Sequence, residues 1–193
     1  MMERWMAMFM ETSLWEWIAV ILAIIYVLLA AYRHIACWFF GILSSIIYVG
    51  LAFSNQIYMD AGLQFFYVLL GFYGWYTWRK TSALDISEWS LKKHAFAIVF
   101  TTIVGLIMAW VFTRYTDQEN PILDGLITTF SLFATYLVSK KILSNWIYWI
   151  VIDAFAAQLF ASRALHLTAC LYLIYSVIAG YGFYQWYRIW KKH

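Results

Sequence analysis

Two similar six-residue strings, Tyr73-Gly-Trp-Tyr-Thr-Trp78 and Tyr181-Gly-Phe-Tyr-Gln-Trp186, occur in one chain of 193 residues. The step from Tyr73 to Tyr181, which we call the repeat offset, also aligns residues 38–78 with residues 146–186 without a gap. Eleven of these forty-one positions are identical, and one string alone contributes three aromatic residues and a glycine. Chance matching of apolar segments would give scattered Leu or Ile pairs, so the sequence predicts an internal repeat.

The composition around these strings is that of a membrane protein. Hydrophobic residues make up 65% of the chain and charged residues only 12%, whereas soluble domains have about 45–50% and about 25%. One proline and nine glycines leave few breaks between regular segments. These values exclude a soluble domain, a disordered chain and a basic nucleic-acid-binding protein, and they predict an all-α polytopic membrane protein.

Seven runs are long enough to cross a bilayer, which takes roughly 20 apolar residues in a helix. They cover residues 14–32, 35–54, 58–78, 94–113, 122–139, 144–161 and 165–188. Ten of the thirteen Lys and Arg residues fall on one side of these spans. Because cytoplasmic loops are enriched in Lys and Arg, we expect the N-terminus outside and the C-terminus in the cytoplasm. The net charge of +3 then requires no nucleic-acid partner.

The repeat covers spans one to three and five to seven, which leaves the fourth span as a connector. Both three-helix units then cross the membrane in the same direction and are related by an axis along the membrane normal. We therefore predict a 3+1+3 parallel duplication with a site between the halves. Its parts are an outer N-terminal segment, a first bundle, a loop with linker helix, a second bundle and a cytoplasmic tail, at residues 1–13, 14–78, 79–121, 122–188 and 189–193.

Asp153 is the most informative polar residue, because it lies in the middle of the sixth span among apolar neighbours. An ionisable group at that depth is costly and is usually functional. Helical spacing places Asn145, Trp149 and Asp153 on one face, with Trp146 beside them. A carboxylate flanked by indole rings suits an organic cation, which the rings attract through cation–π contacts. The alternative is an Asp that serves helix packing through a hydrogen bond to Ser45 or to another hydroxyl.

Aromatic and polar stripes recur on three further spans, and together they predict a polar, aromatic-lined cavity. Ordinary interhelical packing is the alternative for each stripe. The third span carries Gln64, Tyr67, Gly71, Trp75 and Trp78 on one face. The complete set of predicted substrate-binding residues is Trp38, Ser45, Tyr48, Gln64, Tyr67, Trp75, Asn145, Trp146, Trp149, Asp153, Tyr172 and Tyr175.

Other functional classes lack their characteristic residues. No lysine lies within a span to bind retinal, and no filter string, Walker loop or HExxH motif is present. Cys37 and Cys170 have neither disulfide nor metal-ligand spacing, and Asp60 and Asp124 are interpreted as helix caps. We predict no catalytic residue, metal or cofactor, although an ion channel and a membrane-embedded enzyme remain rival classes. The four histidines, at positions 34, 94, 166 and 193, are too scattered to favour the enzyme.

These residues resemble the PnuC family of bacterial vitamin transporters over nearly the whole chain. The resemblance is carried by Tyr73-Gly-Trp-Tyr-Thr-Trp78 and by the string Asn145-Trp146…Trp149…Asp153. It implies two three-helix bundles joined by a linker helix, as in a full-length relative of the SWEET sugar transporters. It also implies a homotrimer in the bacterial inner membrane.

The resemblance further implies uptake of a water-soluble vitamin by facilitated diffusion, followed by phosphorylation in the cytoplasm that traps it. We expect nicotinamide riboside as the substrate and thiamine as the alternative. Both are small organic cations, so Asp153 and the indole rings would suit either one. The expected mechanism is alternating access, in which the two bundles rock about the central site.

Overall fold

The computed structural model describes residues 13–54, 58–81, 85–115, 120–163 and 166–192. Within these residues the chain forms seven helices, α1 (Leu14–Ala31), α2 (Ala36–Ser54), α3 (Tyr58–Lys80), α4 (Leu91–Tyr115), α5 (Pro121–Ser139), α6 (Asn145–Ser162) and α7 (His166–Trp190). The prediction of an all-helical protein with seven long helices is confirmed, and every helix end falls within three residues of its predicted span. Except for Ser13, the predicted outer segment lies outside the described residues.

Four of the helices, α1, α2, α4 and α5, are long and apolar enough to cross a membrane. The other three, α3, α6 and α7, are not among the candidate spans within the described residues. They carry most of the predicted site residues, and their Tyr and Trp residues are less hydrophobic than Leu, Ile or Val. Amphipathic rings of this kind remain compatible with a membrane interior when their polar atoms face a protein cavity.

Six helices form a closed ring in the order α1, α2, α3, α5, α6 and α7, and the last packs back against the first. Within this ring α2 lies between α1 and α3, and α6 lies between α5 and α7. The contacts between α3 and α5 and between α7 and α1 close it. Helix α4 packs mainly against α5, on the outside of the ring. A residue on the inner face of any ring helix can therefore contribute to one central site.

The turn from α1 to α2 has the same backbone geometry as the turn from α5 to α6. Arg33 and Lys141 occupy positions that match at the repeat offset, with φ of 59° and 52°. Their N–H groups donate to the carbonyls of Ala30 and Val138 at 2.9 and 3.0 Å. A residue in the left-handed region commonly ends a helix this way, although glycine is the usual choice. Both turns thus reverse the chain within a few residues, which holds α2 against α1 and α6 against α5.

The segment before α4 is fastened to the second of these turns. Ser87 forms a parallel β-bridge with Ile142, and the two backbone hydrogen bonds of the bridge measure 3.1 and 2.9 Å. The next residue, Glu88, accepts hydrogen bonds from the N–H and the hydroxyl of Ser144 at 2.8 and 2.9 Å. Its Oε1 also lies 2.8 Å from Nε2 of His94 on α4. We call these contacts the linker latch.

Candidate functional site

A cavity of about 230 Å³ lies at the centre of the helix ring and is lined by side chains from all six ring helices. It is smaller than the roughly 300–1,000 Å³ typical of sites for drug-sized ligands. Its size and lining therefore suit one small molecule rather than a polymer or a bulky cofactor.

Ten of the twelve residues predicted to bind substrate line this cavity. They are Trp38, Ser45, Tyr48, Gln64, Tyr67, Trp146, Trp149, Asp153, Tyr172 and Tyr175. They come from α2, α3, α6 and α7, so the stripes identified at helical spacing do face a common space.

Trp75 and Asn145 do not line the cavity, and in this respect the arrangement differs from the expected one. Trp75 is one helical turn beyond Gly71, about 6 Å further along the axis, and its ring packs edge-on to Phe39 at 6.4 Å. Asn145 is fully buried at the start of α6, where its Nδ2 donates to the carbonyl of Ile142 at 2.6 Å. Both lie on the predicted helix face but beyond the end of the cavity.

Asp153 is 2% exposed and lines the cavity on α6. Among the described residues it makes no hydrogen bond with Ser45, which was one partner in the packing alternative. Three cavity tyrosines, Tyr67, Tyr172 and Tyr175, lie close enough to interact with it electrostatically. The site therefore combines one carboxylate with phenol and indole groups in a space largely shielded from water, where a charge has a strong effect.

The two helix units contribute matching positions to the cavity lining, but the residue types at many of these positions differ. At the repeat offset, Trp38 matches Trp146 and Tyr67 matches Tyr175. Other matched lining positions differ, among them Ser45 against Asp153, Gly41 against Trp149, and Gln64 against Tyr172. The carboxylate and the half-buried Trp149 therefore both come from α6.

Four tryptophans close one end of the cavity, and we call them the tryptophan floor. They are Trp38, Trp78, Trp146 and Trp186, with exposures of 1%, 4%, 2% and 0%. Trp38 and Trp146 line the cavity directly, whereas Trp78 and Trp186 lie seven residues beyond the last lining residues of α3 and α7. The floor thus separates the cavity from the end of the molecule that carries Arg33, Lys140 and Lys141, which we call the basic end.

Tryptophan pairs that match at the repeat offset have the same ring geometry within the floor. Trp38 meets Trp78 edge-on with centroids 5.5 Å apart at 88°, and Trp146 meets Trp186 at 5.5 Å and 87°. Trp78 and Trp186 contact each other at 6.2 Å. Such edge-to-face pairs add roughly 0.5–1.5 kcal/mol each beyond their buried area.

Glycines on α3 and α7 make room for these rings. A Cβ atom built on Gly74 would overlap the ring of Trp38, and one built on Gly182 would lie 2.7 Å from the ring of Trp146. Nonbonded carbon atoms do not approach so closely without displacement. The glycines of the two Tyr-Gly strings are therefore needed for the packing of the floor, because only a residue without a side chain leaves space for the tryptophan rings.

Several lining residues were not among the predicted binding residues. They are Tyr26 on α1, Ser44 on α2, and Ser131 and Thr135 on α5. Ser131, Thr135 and Val138 follow helical spacing on one face of α5, and that pattern was the available signal. Ser44 also has a structural contact, because its hydroxyl donates to the carbonyl of Ala19 at 2.8 Å.

The acidic residues at the other end of the ring, which were interpreted as helix caps, lie in first helical turns. Asp124 does lie in the first turn of α5, as a cap would, but it also pairs with Arg163 at the end of α6 at 2.5 Å. Asp60 lies in the first turn of α3. Within the part of the chain that the structure describes, no cluster of His, Cys, Asp and Glu side chains could hold a metal ion.

Comparison with known proteins relates this chain to a family. The sequence model of the nicotinamide mononucleotide transporter family matches residues 13–188. The chain is 22% identical to the nicotinamide riboside transporter PnuC of Escherichia coli (strain K12), over 82% of this chain and 78% of that protein. It is 23% identical to the protein of the same name from Haemophilus influenzae, over 97% of this chain and 90% of that protein.

A solved structure shares the fold. The crystal structure of the vitamin B3 transporter PnuC superposes with a TM-score of 0.79, at 20% identity, and covers 100% of this chain and 88% of that one. The likeness extends over the whole helix ring and the helix outside it. Because the family model covers more than half of the residues, this chain is a multi-pass membrane protein that belongs to the PnuC family, the family of the nicotinamide mononucleotide transporter model.

Proposed function

We propose that this protein is a transporter that carries nicotinamide riboside, a B-vitamin, into the cell across the bacterial inner membrane. The observation that carries the proposal is the position of Asp153 and Trp149 together on the wall of a central, six-helix cavity. A buried carboxylate beside an indole face is the arrangement that a cationic aromatic ring needs. The printed names of the PnuC relatives support the same substrate for this chain.

Each part of the ligand has suitable partners. The pyridinium ring would stack between Trp149 and the neighbouring aromatic rings, and Asp153 would balance its positive charge. The hydroxyl and amide groups of the ligand would hydrogen-bond to Gln64, Ser131 and Thr135, all of which line the cavity. Trp75 and Asn145 have no part in this proposal, because they lie beyond the cavity.

Thiamine is the second candidate, since its thiazolium ring is also a cation that Asp153 could balance. The hydroxyl and amide side chains in the lining favour the riboside, because a ribose presents several hydroxyl groups and thiamine only one. Tryptophan fluorescence of the purified protein distinguishes the two. Nicotinamide riboside should quench the emission at lower concentration than thiamine, riboflavin or a deoxynucleoside, and tighter binding of thiamine would reassign the substrate.

The proposed mechanism is facilitated diffusion by alternating access, with phosphorylation of the vitamin in the cytoplasm preventing its return. Two three-helix units, α1–α3 and α5–α7, would rock about the cavity while α4 links them. The recurrence of helix neighbours and turn geometry at the repeat offset supports this 3+1+3 arrangement. Equilibration of labelled substrate into proteoliposomes without an ion gradient would test it, and accumulation above the external concentration would contradict it.

We further propose that the basic end faces the cytoplasm, which puts the N-terminus outside. Three of its residues, Arg33, Lys140 and Lys141, lie at the two turns described above. Labelling of an introduced cysteine at exposed Lys92 from one side of sealed vesicles would test the orientation. A homotrimer, which the family resemblance implies, would be tested by the mass of the detergent-solubilised protein.

A further inference from the structure

The tryptophan floor is held at two interfaces between the helix units, and we call them the α3/α5 seam and the α1/α7 seam. At the first, the indole N–H of Trp78 donates to the carbonyl of Val138 at 3.1 Å. At the second, the indole N–H of Trp186 donates to the carbonyl of Ala30 at 3.1 Å. These bonds match at the repeat offset on both the donor and the acceptor side. At this level the two seams are equivalent.

Further contacts at the α3/α5 seam make the two seams unequal. The Nζ of Lys141 donates to the hydroxyl of Thr81 at 2.7 Å and lies 5.1 Å from the ring of Trp78. Tyr73 and Tyr136 stack across this seam at 6.1 Å. The Nζ of Lys140 lies 5.0 Å from the ring of Tyr73.

The linker latch adds contacts on the α5 side of this seam. It ties the segment that follows α3 to the turn between α5 and α6 through the Ser87 bridge and the Glu88 carboxylate. Oε1 of Glu88 lies 2.8 Å from Nε2 of His94, whose Nδ1 in turn lies 3.1 Å from the hydroxyl of Tyr148 on α6. Because α4 also packs on α5, the linker, α4, α5 and α6 form one connected body at the basic end.

Within the described residues, fewer hydrogen bonds and aromatic-ring contacts cross the α1/α7 seam than cross the α3/α5 seam. Besides the Trp186 bond, the hydroxyls of Tyr32 and Tyr181 hydrogen-bond at 2.8 Å, and their rings lie edge-on at 5.9 Å. Arg33 occupies the position that matches Lys141, and its buried Nε has no hydrogen-bond partner among the described residues. Tyr32 is 57% exposed and Tyr181 38% exposed, so their bond competes with water.

We infer that the tryptophan floor is the gate towards the basic end and that it opens by separation of the α1/α7 seam, while the α3/α5 seam acts as the hinge. This inference rests on the proposed function as a transporter. Each indole bond breaks at a similar free-energy cost, so the additional contacts decide which seam parts first. When α1 moves away from α7, the hydrogen bond from Trp186 to the carbonyl of Ala30 breaks and the rings of Trp186 and Trp78 separate. The cavity then opens towards the basic end.

Crosslinking across each seam tests the inference, and the chain offers a matched pair of sites. The variant Tyr32→Cys/Tyr181→Cys spans the α1/α7 seam, and Tyr73→Cys/Tyr136→Cys spans the α3/α5 seam. Both are made in a Cys37→Ala/Cys170→Ser background and treated with the same short, reducible bis-thiosulfonate reagent. Uptake of nicotinamide riboside into proteoliposomes and its binding by tryptophan fluorescence are measured before and after reduction.

Crosslinking the α1/α7 seam should lower the uptake rate more than tenfold, reversibly on reduction, while binding changes less than twofold. Crosslinking the α3/α5 seam should leave the uptake rate within about twofold of that of the untreated variant. Equal inhibition at both seams, inhibition only at the α3/α5 seam, or inhibition at neither would overturn the inference. Absence of binding before crosslinking would instead count against nicotinamide riboside as the substrate, so the two failures are distinguishable.

Discussion

Trp78 and Trp186 lie 6.2 Å apart, ring centre to ring centre, and each donates its indole hydrogen across a seam to the opposite helix unit. One lies near the end of the third helix and the other near the end of the seventh, at positions that match at the repeat offset. A single ring contact between them therefore joins both seams at the centre of the molecule. The proposed opening of the floor separates these two rings.

The carboxylate of Asp153 should contribute affinity for a cationic ligand through its charge. Asp153→Asn keeps the size of the side chain and removes the charge, so the Kd for nicotinamide riboside should rise at least tenfold, or about 1.4 kcal/mol. Ser45→Ala, at the matching position of the repeat, should change the Kd less than threefold. Fluorescence titration measures both, and an unchanged Kd in Asp153→Asn would remove the carboxylate from the binding site.

Trp149 and Trp75 were both predicted to bind substrate from their helical spacing, but their substitutions should affect ligand affinity differently. Trp149→Ala removes a ring from the cavity wall and should weaken ligand binding by about ten- to a hundredfold, since it loses cation–π and stacking contacts. Trp75→Ala removes a ring outside the cavity and should leave the Kd within about threefold. Calorimetric titration is suitable here, because it does not depend on the fluorescence of the residue removed. Equal losses in the two variants would contradict the assigned cavity wall.

Single indole hydrogen bonds at the two seams can be compared by Trp78→Phe and Trp186→Phe. If the α1/α7 seam opens first, Trp186→Phe should increase opening of the floor more than Trp78→Phe, because fewer hydrogen bonds and aromatic-ring contacts hold that seam. Cys37 is fully buried beside the floor and is a native reporter of opening. In a Cys170→Ser background, its rate of modification by a maleimide should rise several-fold in Trp186→Phe and little in Trp78→Phe. The reverse order would assign the opening to the other seam.

The glycines beside the floor should not tolerate a methyl group. Gly182→Ala would place its Cβ 2.7 Å from the ring of Trp146, and overpacking of this kind costs about 1–3 kcal/mol. Gly180 is in the same helix and has no atom within 4 Å of the position that a Cβ would take, so Gly180→Ala is the matched control. We expect the Tm in detergent to fall for Gly182→Ala and to stay the same or rise for Gly180→Ala, because alanine favours a helix by about 0.5–1 kcal/mol. A Tm for Gly182→Ala equal to that of the control would show that the rings move without cost.

Much of the site was predictable because a helix repeats its faces at a fixed spacing. Ser45 and Tyr48 on α2, and Tyr172 and Tyr175 on α7, were placed on inward stripes and do line the cavity. The same reasoning put Trp75 on the correct face of α3 but gave no information about its depth. Periodicity identifies a face, but it does not tell where along the axis other side chains close the space.

The seven helices, the repeat offset and the carboxylate of Asp153 within a span were predictable, since each depends on hydrophobicity and spacing along the chain. The end of the cavity, the side chains of α1 and α5 that complete it, and the difference between the two seams follow from the packing of the helices. The latch from Glu88 to Ser144 joins residues 56 positions apart. Contacts of this kind depend on how helices rotate and pack against one another, and local periodicity carries no information about that.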